Sequence, residues 1–196
     1  MIDTATRCAW CLGTPLMMQY HDREWGVPVH DDRKLFEFMV LDAFQAGLSW
    51  STILNKRENF RKAFDSFEAA KIARYNKRSV TRLLGNAGII RNRAKVAATV
   101  HNARLFLDVQ DAFGSFDAFI WQFVNGNTMH NRWKTMKQVP ATSKASDAMS
   151  KGLKERDFKF VGSTICYAFM QAAGMVNDHV VDCFRHAELG GPGRRR

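Results

Sequence analysis

The sequence lacks the features of a membrane-spanning or secreted protein. It contains no run of about 18 uninterrupted apolar residues, so no transmembrane helix is expected. Its N-terminus has neither the basic segment nor the apolar stretch of a secretory signal. Only four cysteines are present, and without such a signal they favour metal ligation or simple burial over a disulfide framework. We therefore expect a cytoplasmic protein with no membrane partner.

Acidic residues are also few. The 196 residues include 19 Asp and Glu against 29 Lys and Arg, which gives a formal net charge of +10. This excess favours a polyanionic partner such as nucleic acid, although a basic surface that only keeps the protein soluble is the alternative. Three of the positive charges lie in the final run GGPGRRR, and we predict that residues 186–196 form a disordered basic tail.

Convincing strand patterns are absent too, and helical periodicity dominates. Asp31 or Asp32 can cap a helix whose apolar residues recur every three or four positions until about Gly47, and Ser49 can begin a second helix. Further helices are predicted at 67–75, 77–86, 91–108, 115–125, from Ser146 or Asp147 to about Arg156, and from Ile165 to Ala173. We interpret 127–146 as a polar loop.

This pattern predicts an all-α fold. We expect one domain over residues 1–185, whose mainly helical core occupies 30–125 and 145–175.

Two pairs of soft metal ligands lie at opposite ends of the chain. Twelve residues separate Cys8 from His21, and three separate His179 from Cys183. Zinc prefers such thiolate and imidazole ligands in a closed tetrahedral site. Cys11 competes with these residues, because Cys8 and Cys11 form a pair of their own, and unrelated buried residues are the simpler alternative.

Asp42 lies on the apolar stripe of its predicted helix, three residues after Met39. A carboxylate that faces inward must be functional, or else be satisfied by backbone N–H groups or an arginine.

Aromatic residues are dense in the first fifty positions, at Trp10, Tyr20, Trp25 and Trp50. Core packing is their commoner role, but aromatic faces also suit a flipped nucleobase, and a cationic base especially.

The turn before the last predicted helix, Phe160 to Ser163, would direct free backbone N–H groups outward with Lys159 beside it. Such a turn can hold a phosphate, or it can be an ordinary connection between helices.

Six motifs, taken in order and spacing, resemble the 3-methyladenine DNA glycosylase I family of the helix-hairpin-helix glycosylases. They are YHDREWGVP (20–28), QAGLSW (45–50), KREN (56–59), GIIR (88–91), FKFVG (158–162) and VNDHVV (176–181). The resemblance implies a helix-hairpin-helix DNA glycosylase fold with the hairpin between about Leu153 and Gly174.

The resemblance also implies a zinc ion held by Cys8, His21, His179 and Cys183, without Cys11. With four protein ligands the metal would be structural. It would join the N-terminal segment 1–29 to the C-terminal segment 176–185.

The activity implied is removal of 3-methyladenine from double-stranded DNA by a monomeric, monofunctional glycosylase. The base would be flipped into a pocket of Trp10, Tyr20, Trp25 and Trp50, with Trp50 stacking on it. Lys159, Gly162 and Ser163 would grip the DNA backbone. No lysine nucleophile is implied, and Asn177 lies near the place where many relatives in the wider superfamily have a catalytic Asp.

Two positions depart from the family pattern, which has Glu at the position of Asp42 and commonly Tyr at the position of Met17. In the family the Glu is understood to hydrogen-bond the flipped base, so we assign Asp42 as the catalytic carboxylate. The rival interpretation is a protein that binds alkylated DNA with little or no excision. A zinc hydrolase is disfavoured because the sequence has no His-Glu-x-x-His motif.

Overall fold

The computed structural model describes residues 5–190. This part of the chain is mostly helical, which confirms the predicted class. Its α-helices are α1 (Pro15–Arg23), α2 (Asp32–Gln45), α3 (Trp50–Ala63), α4 (Ala69–Ile72), α5 (Lys77–Gly85), α6 (Arg93–Phe113), α7 (Phe116–Trp121), α8 (Lys144–Glu155), α9 (Ser163–Ala172) and α10 (Phe184–Gly190). Two short parallel strands, β1 (Met129–His130) and β2 (Val176–Asn177), pair Met129 with Val176 and His130 with Asn177.

Side-chain caps begin several of these helices. The Asp31 carboxylate accepts a hydrogen bond from the backbone N–H of Lys34, and the Ser49 hydroxyl accepts one from Thr52, so both predicted starts are confirmed. The predicted start of α8 is wrong, because its N-cap is Ser143. Ser143 and Ser146 cap each other reciprocally, which places Ser146 in the third helical position.

Other predicted boundaries need correction. Helix α1 was not predicted, although Thr14 caps it and Pro15 is its first residue. The helix expected at 67–75 is shortened to α4, because a 3₁₀ turn with positive φ at Ser66 precedes it. The predicted loop 127–146 contains β1, a 3₁₀ turn at Met136–Gln138 and the first turn of α8.

Helix α2 lies at the centre of the fold. Its residues from Leu35 to Phe44 are all buried, and it contacts α3, α6, α7 and α9. Phenylalanines fill much of the space around it; those that are almost fully buried include Phe36, Phe38, Phe44, Phe60, Phe64, Phe106 and Phe116. A side chain on α2 therefore points into the core or into a cavity within it.

The segment that follows α1 packs against the end of α9. The backbone N–H groups of Gly26 and Val29 donate to the carbonyls of Gln171 and Ala173, at 3.0 and 3.1 Å. Gly174 then turns the chain with a φ of +71°, and a Cβ atom there would lie 2.3 Å from the carbonyl carbon of Val27. This close approach requires glycine at position 174.

Helix α10 covers residues 186–190, so the prediction of a disordered tail is wrong for that part of 186–196. The His186 ring lies 2.8 Å from the carbonyl of Asn131, and its own carbonyl accepts a hydrogen bond from Asn177. Residues 191–196 lie outside the described residues. Among the described helices, none has the length and apolarity needed to cross a bilayer.

Candidate functional site

A cavity of about 580 Å³ opens beside α2. The structure brings Asp42 together there with all four predicted aromatic residues. The lining residues are Trp10, Met17, Tyr20, Trp25, Asp42, Gln45, Ser49, Trp50, Ser51, Met136, Val139, Pro140, Ala168, Gln171 and Ala172. They come from α1, α2, α3, α9, the 3₁₀ turn before α1, the connections that follow α1 and α2, and the segment 136–140. Sequence reasoning did not identify the contributions of α9 and of the segment 136–140.

Polar atoms without partners concentrate in this cavity wall. Within the described residues, four buried side-chain nitrogen or oxygen atoms lack a hydrogen-bond partner. Three of them belong to lining residues: Oδ2 of Asp42, Nε1 of Trp10 and Nε1 of Trp50. A buried polar group left unpaired costs about 1–3 kcal/mol. One acceptor and two donors in one wall therefore indicate a site for a planar, polar ligand.

Burial governs the electrostatics of Asp42, which is 3% exposed. Removal from water raises the pKa of its carboxyl well above the ordinary value, and the positive charge of Arg57 opposes the shift only in part. Burial likewise raises the pKa of the neighbouring Tyr20 phenol well above its usual range, so Tyr20 stays neutral. A cation or a hydrogen-bond donor placed against Asp42 would relieve its isolation.

The aromatic residues form one connected group. The Tyr20 and Trp50 rings have centroids 5.1 Å apart, and those of Trp10 and Trp25 are 5.0 Å apart in an edge-to-face arrangement. Trp10 and Tyr20, at 6.3 Å, link the two pairs. Such contacts hold ring orientations within the wall, which suits a site that binds a flat ring.

A buried ion-pair network joins the helices that carry this wall. The Arg57 guanidinium on α3 donates to both carboxylate oxygens of Glu24, at 3.0 and 2.9 Å, and to Glu37 on α2 at 2.5 Å. Arg61 also donates to Glu37, at 2.8 Å. The network holds the end of α1 against α2 and α3. These three helices carry Tyr20, Asp42 and Trp50, respectively.

Cys8, His21, His179 and Cys183 converge in a second, fully buried cluster. Their ligand atoms all lie within 4.8 Å of one another. Nδ1 of His179 is 3.2 Å from Nε2 of His21, and Sγ of Cys183 lies 3.5 Å from the former and 3.4 Å from the latter. Cys11 is not a member, because its thiol points to the carbonyl of Cys8 at 3.1 Å.

The surroundings of the cluster suit a metal ion. Nδ1 of His21 lies 2.7 Å from Asp22, which Arg7 holds in a bidentate ion pair. This arrangement turns Nε2 of His21 toward the cluster, as the outer contacts of metal ligands do. In the same way Nε2 of His179 contacts the Trp25 carbonyl at 3.1 Å, which leaves Nδ1 facing inward and joins the cluster to the cavity wall.

The two thiols also suit a metal. Each thiol shifts the pKa of the other: that of Cys8 is raised and that of Cys183 is lowered. A cation would favour the thiolate form of both. Two sulfur and two nitrogen donors form the set that zinc prefers.

The hairpin between α8 and α9 carries the predicted DNA contacts. Gly162 is the N-cap of α9 and Ser163 its first residue. The Lys159 ammonium is paired with Asp157, and the Ser163 hydroxyl is hydrogen-bonded to Ser146 at 2.9 Å and to Asp147. Both side chains therefore have protein partners, while the backbone of the first turn of α9 has no side-chain cap.

Asp178 forms a further buried centre that sequence reasoning missed. Its oxygens accept hydrogen bonds from Asn131 and Trp133, both at 2.7 Å, and from Tyr167 and Gln171, at 2.7 and 2.8 Å. Both oxygens of this carboxylate are thus already hydrogen-bonded within the protein, which gives Asp178 a structural role.

Comparisons with known proteins agree with this geometry. The DNA-3-methyladenine glycosylase 1 of Escherichia coli K12 is 50% identical over 177 residues, which cover 90% of this chain and 95% of that protein. A crystal structure of a 3-methyladenine DNA glycosylase I covers 91% of this chain and 98% of its own, with 50% identity and a TM-score of 0.89. The Staphylococcus aureus 3-methyladenine DNA glycosylase I, whose structure addresses 3-methyladenine recognition, is 35% identical, covers 90% and 94%, and gives a TM-score of 0.87.

A family model described as methyladenine glycosylase matches residues 10–186. The match spans most of the chain and includes the whole cavity wall. The chain therefore belongs to the methyladenine glycosylase family.

Proposed function

We propose that this protein is a monofunctional DNA-3-methyladenine glycosylase. It flips an alkylated adenine out of duplex DNA and hydrolyses the N-glycosidic bond, leaving an abasic site. The observation that carries the proposal is the unpaired Asp42 carboxylate oxygen in a cavity walled by indole rings. A cationic 3-methyladenine supplies a positive charge and a hydrogen-bond donor for Asp42, and aromatic faces attract cationic rings.

The chemistry needs little acid–base assistance. The bond between the sugar C1′ and the base nitrogen breaks with its electron pair passing to the base, which is already positively charged and leaves as a neutral molecule. Water adds to C1′ and releases a proton to solvent. Asp42 and the indole faces bind the cationic base selectively, and DNA phosphates stabilise the oxocarbenium-like sugar as it forms.

The position of the buried lysine argues against strand-cleaving lyase chemistry, which needs a lysine nucleophile. Lys95 is the buried lysine among the described residues, and its ammonium donates to the carbonyls of Phe44 and Ala46 at 2.8 and 2.6 Å. It therefore closes the end of α2 and is not available as a nucleophile.

Zinc at Cys8, His21, His179 and Cys183 forms part of the proposal. Four protein ligands leave no position for a catalytic water, so the ion is structural. It would fasten residues 1–29 to 176–185 and, through the His179 contact with Trp25, support the base pocket.

The remaining proposals concern DNA, assembly and location. The α8–α9 hairpin holds a phosphate of double-stranded DNA through backbone N–H groups near Gly162 and Ser163, with Lys159 adding charge. The protein acts as a monomer, as its family resemblance implies. It works in the cytoplasm, where its free cysteines remain reduced.

Abasic-site formation tests the activity against its rival, a protein that binds alkylated DNA without excising the base. Enzyme in excess over a methylated duplex should release 3-methyladenine and leave alkali-sensitive sites. Tight binding to that duplex without abasic sites would favour the rival, in which the shorter Asp42 fails to support excision.

A further inference from the structure

The segment 118–146 carries positive charge without compensation. It contains no Asp or Glu, but it includes Arg132, Lys134, Lys137 and Lys144. All four side chains are exposed, and none forms an ion pair with another described residue. Lys159 in the hairpin differs, since Asp157 pairs with it. We call these four residues the basic rim.

The segment that carries the basic rim also forms part of the cavity wall. Its residues Met136, Val139 and Pro140 line the cavity together with Trp50 at the start of α3. Lys137 follows Met136 directly and is exposed while Met136 is half-buried. Consecutive Cα atoms are about 3.8 Å apart, so the Lys137 side chain begins beside the cavity and extends into solvent.

The backbone of this segment is held in place before any ligand binds. Asn131 and Trp133 both donate to the buried Asp178, and the Trp133 carbonyl accepts from Val181 at 2.9 Å. Thr135 and Gln138 then cap the 3₁₀ turn reciprocally. The charged side chains of the rim therefore extend from a backbone whose position is fixed by hydrogen bonds.

The arrangement is unfavourable for the protein alone. Lys134 and Lys137 are like charges three residues apart, and Lys144 is the first residue of α8, where the helix dipole disfavours a cation. A polyanion bound across the rim would attract these positive charges and so offset both unfavourable interactions.

We propose that the basic rim binds the phosphates that flank the flipped nucleotide, as a second DNA contact separate from the α8–α9 hairpin. The inference rests on the proposed function, because it identifies the polyanion as the duplex whose base enters the cavity. The rim contacts only the backbone, so it contributes affinity without base preference.

The salt dependence of DNA binding tests this directly. Affinities of the full chain for a duplex with a stable abasic-site analogue, and for an undamaged duplex, are measured by fluorescence anisotropy over a range of KCl concentrations. Each lost phosphate contact should reduce the log–log slope by about 0.9, so Lys137→Gln should lose about 0.9 and Lys134→Gln/Lys137→Gln about 1.8. Relative to 1 M salt, these slopes correspond to about 8-fold and 60-fold weaker binding at 0.1 M.

Lys62→Gln is the matched control. Lys62 is exposed and makes no ion pair with described residues, but it lies twelve residues after Trp50 on α3, about 18 Å along the helix. It should leave the slope unchanged, as should Lys137→Arg, which keeps the rim charge. All variants should keep the wild-type melting temperature because the altered side chains are exposed.

The outcomes separate this inference from the proposed function. If both rim variants show the same slope as Lys62→Gln, the proposed DNA contact of the rim is refuted, even if the wild type excises 3-methyladenine. A loss confined to the undamaged duplex would also overturn it, since the proposed contact is with phosphates beside a flipped nucleotide. Lost slope on the damaged duplex, alone or together with the undamaged one, supports the rim contact, and a wild type that forms no abasic sites would then refute only the activity.

Discussion

Replacement of Asp42 by asparagine should stabilise the free protein at neutral pH. The substitution keeps the shape of the side chain and removes its charge. The Asp42 carboxyl is buried, its Oδ2 atom has no partner among the described residues, and burial raises its pKa well above that of an unfolded chain. The folded state therefore binds a proton more tightly than the unfolded state.

The pH dependence follows from this difference. As pH rises above about 4, the unfolded chain releases the proton first, so the native state loses stability until its own raised pKa is passed. The loss is about 1.4 kcal/mol for each unit by which the folded pKa exceeds the unfolded one. An asparagine side chain cannot ionise, so Asp42→Asn avoids this loss of stability. Each kcal/mol of avoided loss should raise the melting temperature of the variant above that of the wild type by about 2–4 °C.

Thermal melts between pH 4 and 8 measure the effect. The difference between Asp42→Asn and wild type should be largest at pH 8 and shrink toward pH 4. Asp108→Asn is the control, because Asp108 lies on the exposed face of α6. A variant that is less stable than wild type at pH 8, or whose advantage does not change with pH, would refute the assignment of Asp42 as an isolated buried acid.

The same substitution should impair excision. A hydrogen bond to a charged group contributes about 1.5–3 kcal/mol, so Asp42→Asn should excise 3-methyladenine about 10- to 150-fold more slowly. Asp42→Glu should act faster than wild type, because it moves the carboxylate about 1.5 Å toward the base, to where the family pattern places it. Single-turnover measurements are needed, since product release can hide a change in chemistry. Unchanged rates in both variants would show that Asp42 has no part in the reaction.

Three further predictions use matched pairs or a known magnitude. Cys8→Ser should lose the bound zinc while Cys11→Ser keeps about one ion per chain, and equal metal content by elemental analysis would contradict the ligand set. Gly174→Ala should lower the melting temperature far more than Gly114→Ala, since both glycines have positive φ but only at position 174 would a Cβ meet backbone, 2.3 Å away. Trp50→Ala should weaken binding to a duplex with a flipped base by about 1–3 kcal/mol in an anisotropy titration, and unchanged affinity would remove Trp50 as the stacking residue.

Much of the fold was accessible from local signals. Asp31 and Ser49 mark the starts of α2 and α3, because a capping side chain acts on backbone only three residues away. The inward position of Asp42 follows from helical spacing alone. The start of α8 escaped the same reasoning, because Ser143 and Ser146 are both good caps and only their reciprocal bonding decides between them.

Long-range polar contacts could not be predicted in this way. The Arg57 network and the Asp178 centre join residues from different helices, and no periodicity links a charged residue to a partner 20 or 47 positions away. The chemistry of Cys and His is narrower, which is why the four candidate ligands could be named from spacing and resemblance. Spacing alone left Cys11 as a rival, the resemblance set it aside, and in the structure its thiol points to the Cys8 carbonyl.

The pocket departs from the family pattern in one consistent direction. Met17 lines the cavity without a hydroxyl or an aromatic face, and Asp42 has one methylene fewer than the Glu of the family pattern. Both changes should reduce polar contact with the edge of a bound base, and a bridging water can restore only part of it. The indole faces and unpaired N–H groups of Trp10 and Trp50 lie in the same wall and are unaffected. Recognition in this protein should therefore depend more on stacking and cation–π attraction than on a direct bond to the carboxylate.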